Sequence, residues 1–146
     1  MGTWALMRVV LDTNILVSAL IYPRGAPDAI YRAWRAHRFD LVTSTTQLEE
    51  LRRVSRYPKL RSILPPHRVG AMINNMRKAS VAEQLPTLPD DVTINDRDDV
   101  FLLTMVLAFD ADYLVTGDHR AGLLEKGRFQ RARIVTPVDF CSIALD

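Results

Sequence analysis

Short apolar runs alternate with longer amphipathic stretches along the chain, and this alternation predicts strands separated by helices. Four runs are short, apolar and rich in β-branched residues, as buried strands are: "RVVL" (8–11), "FDLVTS" (39–44), "DYLVTGD" (112–118) and "ARIVTP" (132–137). Strands that alternate with helices indicate a three-layer α/β/α sandwich around a mostly parallel central sheet.

Between those strands, apolar residues recur at helical spacing and are bounded by capping residues and prolines. The first helix is predicted over residues 14–21, and Asp28 is predicted to cap the second. The segment "DDVFLLTMVLAFD" (98–110) is apolar on nearly all sides, which predicts a buried helix. The other predicted helices follow Ser44, begin at the prolines of "LPPHRVGAMINNMRKA" (64–79), and close the chain near 138–144.

The length and composition are those of a single globular domain, predicted over residues 7–146. Residues 1–6 are interpreted as an N-terminal extension or as vector-derived residues, because they are too short and too poor in positive charge for a secretory signal. No apolar run reaches the roughly 18 residues of a membrane span, so the cytoplasm is the expected location. The single cysteine, Cys141, excludes an internal disulfide, and three scattered histidines have no zinc-binding spacing.

The positive charge is modest in sum but uneven along the chain. The net charge is +2, and basic residues gather in segments 32–38, 52–61 and 120–133. Such runs are often the solvated faces of helices, but they would equally attract a phosphate-rich partner. The charge pattern alone leaves both interpretations open.

The most apolar stretch of the chain, "RVVLDTNILVSAL" (8–20), is interrupted by Asp12, Thr13 and Asn14. Polar groups there lower stability unless each finds a partner. Asp12 follows the first predicted strand, and Asp118 follows "DYLVTG". Sites in parallel sheets form beyond the carboxyl ends of strands where the strand order reverses, so the two carboxylates are predicted to meet in one crevice. Alternatively, Asp12 caps the following helix and Asp118 belongs to a turn.

A third candidate acid lies in the helix after Ser44. At about 100° per residue, the apolar side chains of this helix form one face, which Glu50 borders and Glu49 points away from. Because site residues commonly sit at such a border, Glu50 is the better candidate. The alternative is that both glutamates only stabilise the helix N-terminus through its dipole.

The segment "NDRDD" (95–99) opens the predicted buried helix and offers three more acids. Asp96, Asp98 or Asp99 would each serve as the helix N-cap. Asp99 shares a face with inward apolar residues, but Asp98 is only slightly worse placed. Helical periodicity therefore does not separate these two acids.

Several carboxylates in one crevice would repel one another. Two charges about 4 Å apart cost roughly 4 kcal/mol at an effective dielectric constant near 20. A hard divalent cation removes this cost, and an all-oxygen ligand set without histidine or thiolate favours Mg²⁺ or Mn²⁺. We therefore expect a divalent cation among these acids.

Four segments, taken in order, resemble the motifs of a known family. They are "VVLDTNILVSAL" (9–20), "STTQLEELRRV" (44–54), "DRDD" (96–99) followed by the apolar helix, and "ADYLVTGD" (111–118). Together they look like the four motifs of the PIN-domain ribonucleases, in the bacterial branch related to VapC-type toxins of toxin–antitoxin pairs. "LDTN" alone is a weak signal, but the ordered set spans nearly the whole chain. The resemblance implies a PIN-like, Rossmann-type fold.

The resemblance also implies roles for individual residues of this chain. It places the catalytic, metal-binding acids at Asp12, Glu50, Asp99 and Asp118. Asn14 and Thr116 are implied as hydrogen-bonding neighbours, and Asp96 as an auxiliary acid. Asp98 departs from the family pattern and leaves the register there open. Arg120, which closely follows the fourth acid, is expected to bind the RNA backbone.

The function implied is that of an Mg²⁺- or Mn²⁺-dependent endoribonuclease, which uses one or two ions to hydrolyse RNA phosphodiester bonds and leaves a 5′-phosphate and a 3′-hydroxyl. The resemblance further implies a toxin with a cognate antitoxin protein, and a homodimer or higher homo-oligomer with no membrane partner. Large apolar residues of the early segments add weak support for self-association: Trp4, Ile21, Tyr22, Tyr31 and Trp34.

Two other functions are compatible with parts of the pattern. A PIN scaffold without catalysis would act as a nucleic-acid or protein binding module, although all four acids are present here. Phosphoryl transfer through an aspartyl phosphate also uses an aspartate after the first strand. That hydrolase chemistry needs a second acid where this chain has Asn14, and a receiver domain needs a lysine after its last long strand, where "ARIVTP" offers none.

Overall fold

A computed structural model of the chain describes residues 6–92, 97–117 and 122–145. In these residues strands and helices alternate, as the sequence predicts. The strands are β1 (Arg8–Leu11), β2 (Asp40–Ser44), β3 (Ser80–Ala82), β4 (Tyr113–Val115), β5 (Arg128–Phe129) and β6 (Ala132–Val135). The helices are α1 (Thr13–Ile21), α2 (Ala26–Arg35), α3 (Thr45–Ser55), α4 (Pro58–Arg61), α5 (Pro66–Met76), α6 (Arg97–Phe109), α7 (Leu123–Lys126) and α8 (Pro137–Phe140), and a π-helical turn follows (Cys141–Leu145).

The six described strands form one sheet in the order β3-β2-β1-β4-β6-β5. β1 pairs in parallel with β2 on one side and with β4 on the other, which sets Val10 opposite both Val42 and Leu114. The β2–β3 and β4–β6 pairs are also parallel, and β5 alone among these strands runs antiparallel, against β6. The prediction of a mostly parallel central sheet is confirmed.

Alternate residues of the central strands enter cores on opposite faces of the sheet. Val9 and Leu11 of β1 belong to one core together with buried residues of α1, α2, α3 and α5, whereas Val10 belongs to the other, with α6. Two helical layers therefore enclose the sheet. Leu102 and Leu103 of α6 are at most 1% exposed, so the helix predicted to be buried is buried. None of the helices in the described ranges, α6 included, is long and apolar enough to cross a membrane.

The structure differs from the sequence prediction at several short elements and at one helix start. β3, β5, α4 and α7 have two to four residues each, too few for a periodic pattern. The N-cap of α2 is Gly25 rather than Asp28, because a proline in the first turn starts the helix earlier. Asp28 lies inside that turn, where its carboxylate accepts from the Arg24 N–H at 3.2 Å and pairs with Arg32 Nε at 2.9 Å.

Some basic residues are paired with acids of the chain itself. Arg131 lies 2.8 Å from Asp112 and 3.3 Å from Asp110. The charge of Asp112, followed by the hydrogen bond to Asp110 and the charge of Asp110, raises the pKa of Arg131 above its ordinary value. In the basic segment 52–61, by contrast, no side chain forms an ion pair with any described residue.

Candidate functional site

The strand order reverses between β1 and β4, the two neighbours at the centre of the sheet. From β1 the chain moves outward through β2 to β3 and then crosses to β4 on the other side. Parallel α/β sheets leave a crevice at such a point, beyond the carboxyl ends of the strands. The residues that directly follow the two strands are Asp12 and Thr116, so both stand at this crevice.

A hydrogen bond to each oxygen holds the Asp12 carboxylate in place. The Asn14 backbone N–H donates to Oδ1 at 3.1 Å, and Thr116 Oγ1 donates to Oδ2 at 2.8 Å. Asp12 is thus the N-cap of α1, the role weighed above as its alternative explanation. The bond from Thr116, which is fully buried, adds a constraint that a helix cap does not require.

The predicted contact of Asn14 with Asp12 is made by the main chain. The Asn14 side chain is exposed, and its backbone N–H is the donor. Thr116, in contrast, acts through its hydroxyl, while its own N–H donates to the Val135 carbonyl at 3.0 Å. The end of β4 is therefore hydrogen-bonded to β6 on one side and to the Asp12 carboxylate on the other.

A buried glutamine that the sequence motifs did not single out fixes α3 against the end of β1. Gln47 is fully buried, its Nε2 donates to the Leu11 carbonyl at 2.6 Å, and Thr43 Oγ1 donates to its Oε1 at 2.5 Å. Its backbone N–H donates to Oγ of Ser44, the N-cap of α3, at 3.1 Å. Since Leu11 directly precedes Asp12, the amide positions the strand end that carries the carboxylate. The signal available in the sequence was a polar side chain on the apolar face of a helix.

Glu50 follows Gln47 by three residues and therefore lies on the same side of α3. Its side chain is half-buried, whereas that of Glu49 is exposed, in agreement with the choice made from helical periodicity. α3 packs against α1 and β2, next to the strand end that Gln47 binds. Glu50 is thus on the side of α3 that faces the protein.

Asp99 lies in the first turns of α6 and is only 3% exposed. α6 packs against β1, β2 and β4, the central strands of the sheet. An ionised carboxylate at this depth requires compensating hydrogen bonds or positive charge. Its burial supports the assignment of the third acid to Asp99.

Asp96, Asp118 and Arg120 lie outside the described residues, as does the side chain of Asp98. Among the described residues, no three histidine, cysteine, aspartate or glutamate side chains are close enough together to hold a metal ion. Asp12, Glu50 and Asp99 are all described, so these three acids do not by themselves form such a group. The convergence of the four acids stays a prediction. The chemistry of the donors fits the expected ion, because carboxylate oxygens are the ligands that hard divalent cations prefer.

Comparisons with known proteins identify the fold. The family model of the PIN domain matches residues 8–120. Among solved structures, a chain of VapBC2 from Rickettsia felis bound to a DNA fragment from their promoter is similar, with 19% sequence identity and a TM-score of 0.56. The similarity covers 89% of the present chain and 98% of that one. No curated protein matches the sequence.

Replacement of Gln47 with leucine is expected to lower the free energy of unfolding by about 2–6 kcal/mol. The leucine would leave the Leu11 carbonyl and the Thr43 hydroxyl buried without their partner, and each such group costs about 1–3 kcal/mol. Urea unfolding followed by circular dichroism measures the change.

Thr46→Leu is the matched control, since it places the same residue at an exposed position of the same helix. It should change the free energy of unfolding by less than about 0.5 kcal/mol. Equal stability of the two variants would show that the Gln47 contacts contribute no net stabilisation.

Proposed function

Because the chain belongs to the PIN-domain family, we propose that it is a metal-dependent endoribonuclease. The observation that carries the proposal is the Asp12 carboxylate, which two donors orient at the point where the strand order reverses. The proposed acidic site consists of Asp12, Glu50, Asp99 and Asp118. Asp96 is proposed as an auxiliary acid, and Arg120 as a residue that binds the RNA backbone.

Divalent metal ions are generally used by PIN domains, and the four carboxylates would hold one or two Mg²⁺ or Mn²⁺ ions. When bound, the cation neutralises charge on the scissile phosphate and acidifies a water molecule. The chain's own contribution is to keep the ligands in place. Thr116 orients the Asp12 carboxylate, and Gln47 fixes the strand end that carries it.

The proposed reaction is hydrolysis of an RNA phosphodiester bond. Water adds at phosphorus, the bond from phosphorus to the 3′ oxygen breaks, and the 3′ oxygen leaves with a proton. The products are a 5′-phosphate and a 3′-hydroxyl. The carboxylates alone would repel this anionic substrate, so basic side chains around the cleft are needed to attract it.

We further propose that the protein is the toxin of a toxin–antitoxin pair, with a cognate antitoxin protein as its partner. The support is the likeness of its fold to a chain of the VapBC2 assembly, together with the ordered motifs of the sequence. An open reading frame for a small DNA-binding protein directly upstream of the gene would strengthen the proposal.

Cleavage of single-stranded RNA is expected with Mg²⁺ or Mn²⁺ and should stop in EDTA. Asp12→Asn should lower the rate by at least about 100-fold, because even the outer partners of metal ligands change activity by about 10–100-fold. The variant should stay folded, since asparagine caps helices as well as aspartate does. Gel analysis of end-labelled RNA measures the rates and identifies the product ends.

Glu49→Gln is the matched control for Asp12→Asn, because it neutralises an exposed acid and should retain full activity. Thr116→Val should lower the rate by about 10–100-fold, and Thr116→Ser should largely retain it, since serine keeps the donor to Asp12. A folded wild-type protein that cleaves no RNA with either metal would instead indicate a binding module.

Addition of Mg²⁺ should raise the melting temperature of the wild-type protein, because the ion binds the folded state alone. At about 100 times its Kd, the ion would stabilise the fold by about 2.7 kcal/mol. Asp12→Asn should show a smaller shift, with metal-free stability unchanged or higher because one repelling charge is gone. Differential scanning fluorimetry measures both quantities.

In the same experiment Glu49→Gln should respond to Mg²⁺ as the wild type does. A clear loss of metal-free stability in Asp12→Asn would assign Asp12 mainly to the helix cap and the adjoining turn.

We also propose that the protein forms a homodimer or a higher homo-oligomer. Trp34 is 8% exposed, and Ile21 and Tyr31 pack against the core, but Tyr22 is 62% exposed and is available for an interface. Trp4 lies outside the described residues. Light scattering at micromolar concentration should give at least twice the 16.6 kDa of one chain. A mass of a single chain would refute self-association.

A further inference from the structure

A cavity of about 480 Å³ lies between α3, α4 and α5, apart from the crevice at the carboxyl ends of the strands. Its lining combines basic and polar side chains with apolar ones. The residues that line it are Arg52, Ser55, Arg56, Arg61, Leu64, Pro66, Val69, Gly70, Ile73 and Asn74. Cavities of roughly 300–1,000 Å³ are of the size that holds small organic ligands.

The charge of this cavity is wholly positive. Three arginines line it, and none of the described residues in the lining is acidic. None of the three forms an ion pair with a residue of the described ranges, unlike Arg32 and Arg131. Guanidinium groups bind phosphate through paired hydrogen bonds. The cavity is therefore suited to a phosphate group.

The apolar part of the lining favours a ligand that carries an apolar group in addition to a phosphate. Leu64, Val69 and Ile73 are at most 8% exposed and form the apolar part of the lining. An inorganic phosphate ion would fill only a small part of the volume and would make little contact with this apolar part of the lining. A nucleotide combines an anionic phosphate with a flat base that packs on apolar side chains or stacks on a guanidinium plane.

The cavity and the proposed acidic site lie on different sides of α3. At about 100° per residue, Arg52 lies about 160° around the helix from Glu50, and Ser55 about 140°. A helix with its side chains is about 10–12 Å across. A ligand in the cavity would therefore not touch Glu50, and the cavity is not an extension of the acidic crevice.

Gly70 leaves part of the cavity open. It lies within α5, and a Cβ added there would meet no atom within 4 Å. A larger side chain at this position would extend into the cavity without a clash with the backbone. Position 70 therefore offers a way to fill the cavity without any change of its charge.

We propose that this cavity binds one nucleotide, with its phosphate on Arg52, Arg56 and Arg61 and its base against the apolar part of the lining. The nucleotide is either a free nucleoside monophosphate or one unit of an RNA strand. The proposal stands on the lining of the cavity and holds whether or not the acidic site cleaves RNA.

Isothermal titration of the full chain in EDTA tests the proposal in the absence of cleavage. The ligands are AMP, UMP, adenosine, inorganic phosphate and an RNA hexamer. We expect AMP or UMP to bind at least about tenfold more tightly than either adenosine or inorganic phosphate, because only a nucleotide uses both parts of the lining. Tight binding of the hexamer without the monophosphates would identify an RNA strand as the source of the nucleotide.

Three variants test whether binding occurs in the cavity. The double variant Arg52→Gln, Arg56→Gln removes the charge, and Gly70→Leu fills the space; each should raise the Kd at least about tenfold. Arg53→Gln is the control, since it removes one exposed charge from the same helix outside the lining and should bind as the wild type does. Melting temperatures establish that every variant is folded.

The proposal is overturned if neither the monophosphates nor the hexamer bind, or if inorganic phosphate binds as tightly as they do. Unchanged binding by Gly70→Leu would also overturn it, because the ligand would then be bound by charged side chains at the surface and not inside the cavity. RNA cleavage by a protein that fails these titrations would leave the proposed activity intact, so the two proposals fail separately.

Discussion

The carboxyl end of β1 buries polar groups, and each of them must find a partner inside the protein. The Leu11 carbonyl accepts a hydrogen bond from the Gln47 side-chain amide, and the Asp12 carboxylate accepts one from the Thr116 hydroxyl. The first bond comes from α3 and the second from the end of β4, so three elements meet at one strand end. A shift of β1 along its own axis would break bonds on both sides. The position of Asp12 is thus set by the sheet and its helices rather than by a long loop.

The main strands and helices could be predicted from sequence because each is long enough to show a period. β1, β2, β4 and β6 are short apolar runs, and α6 is apolar on nearly all sides, which matches its place against the central strands. Elements of two to four residues are too short to show a hydrophobic period. They form because neighbouring elements supply their hydrogen-bond and packing partners. The start of α2 was misplaced for a related reason. Asp28 is a good capping residue in isolation, but the preceding proline already begins the helix.

The positions of two candidate acids could be predicted from sequence because they follow from local rules. The end of β1 places Asp12 at the crevice, and helical periodicity separates Glu50 from Glu49. Gln47 was missed because its role depends on a carbonyl 36 residues away in sequence, and a glutamine near a helix start is ordinarily a surface residue. The choice between Asp98 and Asp99 needed the family resemblance, because helical periodicity alone did not separate these two neighbouring acids.

Both edges of the described sheet end in very short strands. β3 has three residues and β5 has two, and β5 carries the exposed Arg128. Long edge strands present rows of unpaired backbone groups that recruit other chains into aggregates. Short edges, one of them charged, offer little template for such growth. Another copy of this chain would therefore find few backbone groups to pair with along the edges of the described sheet.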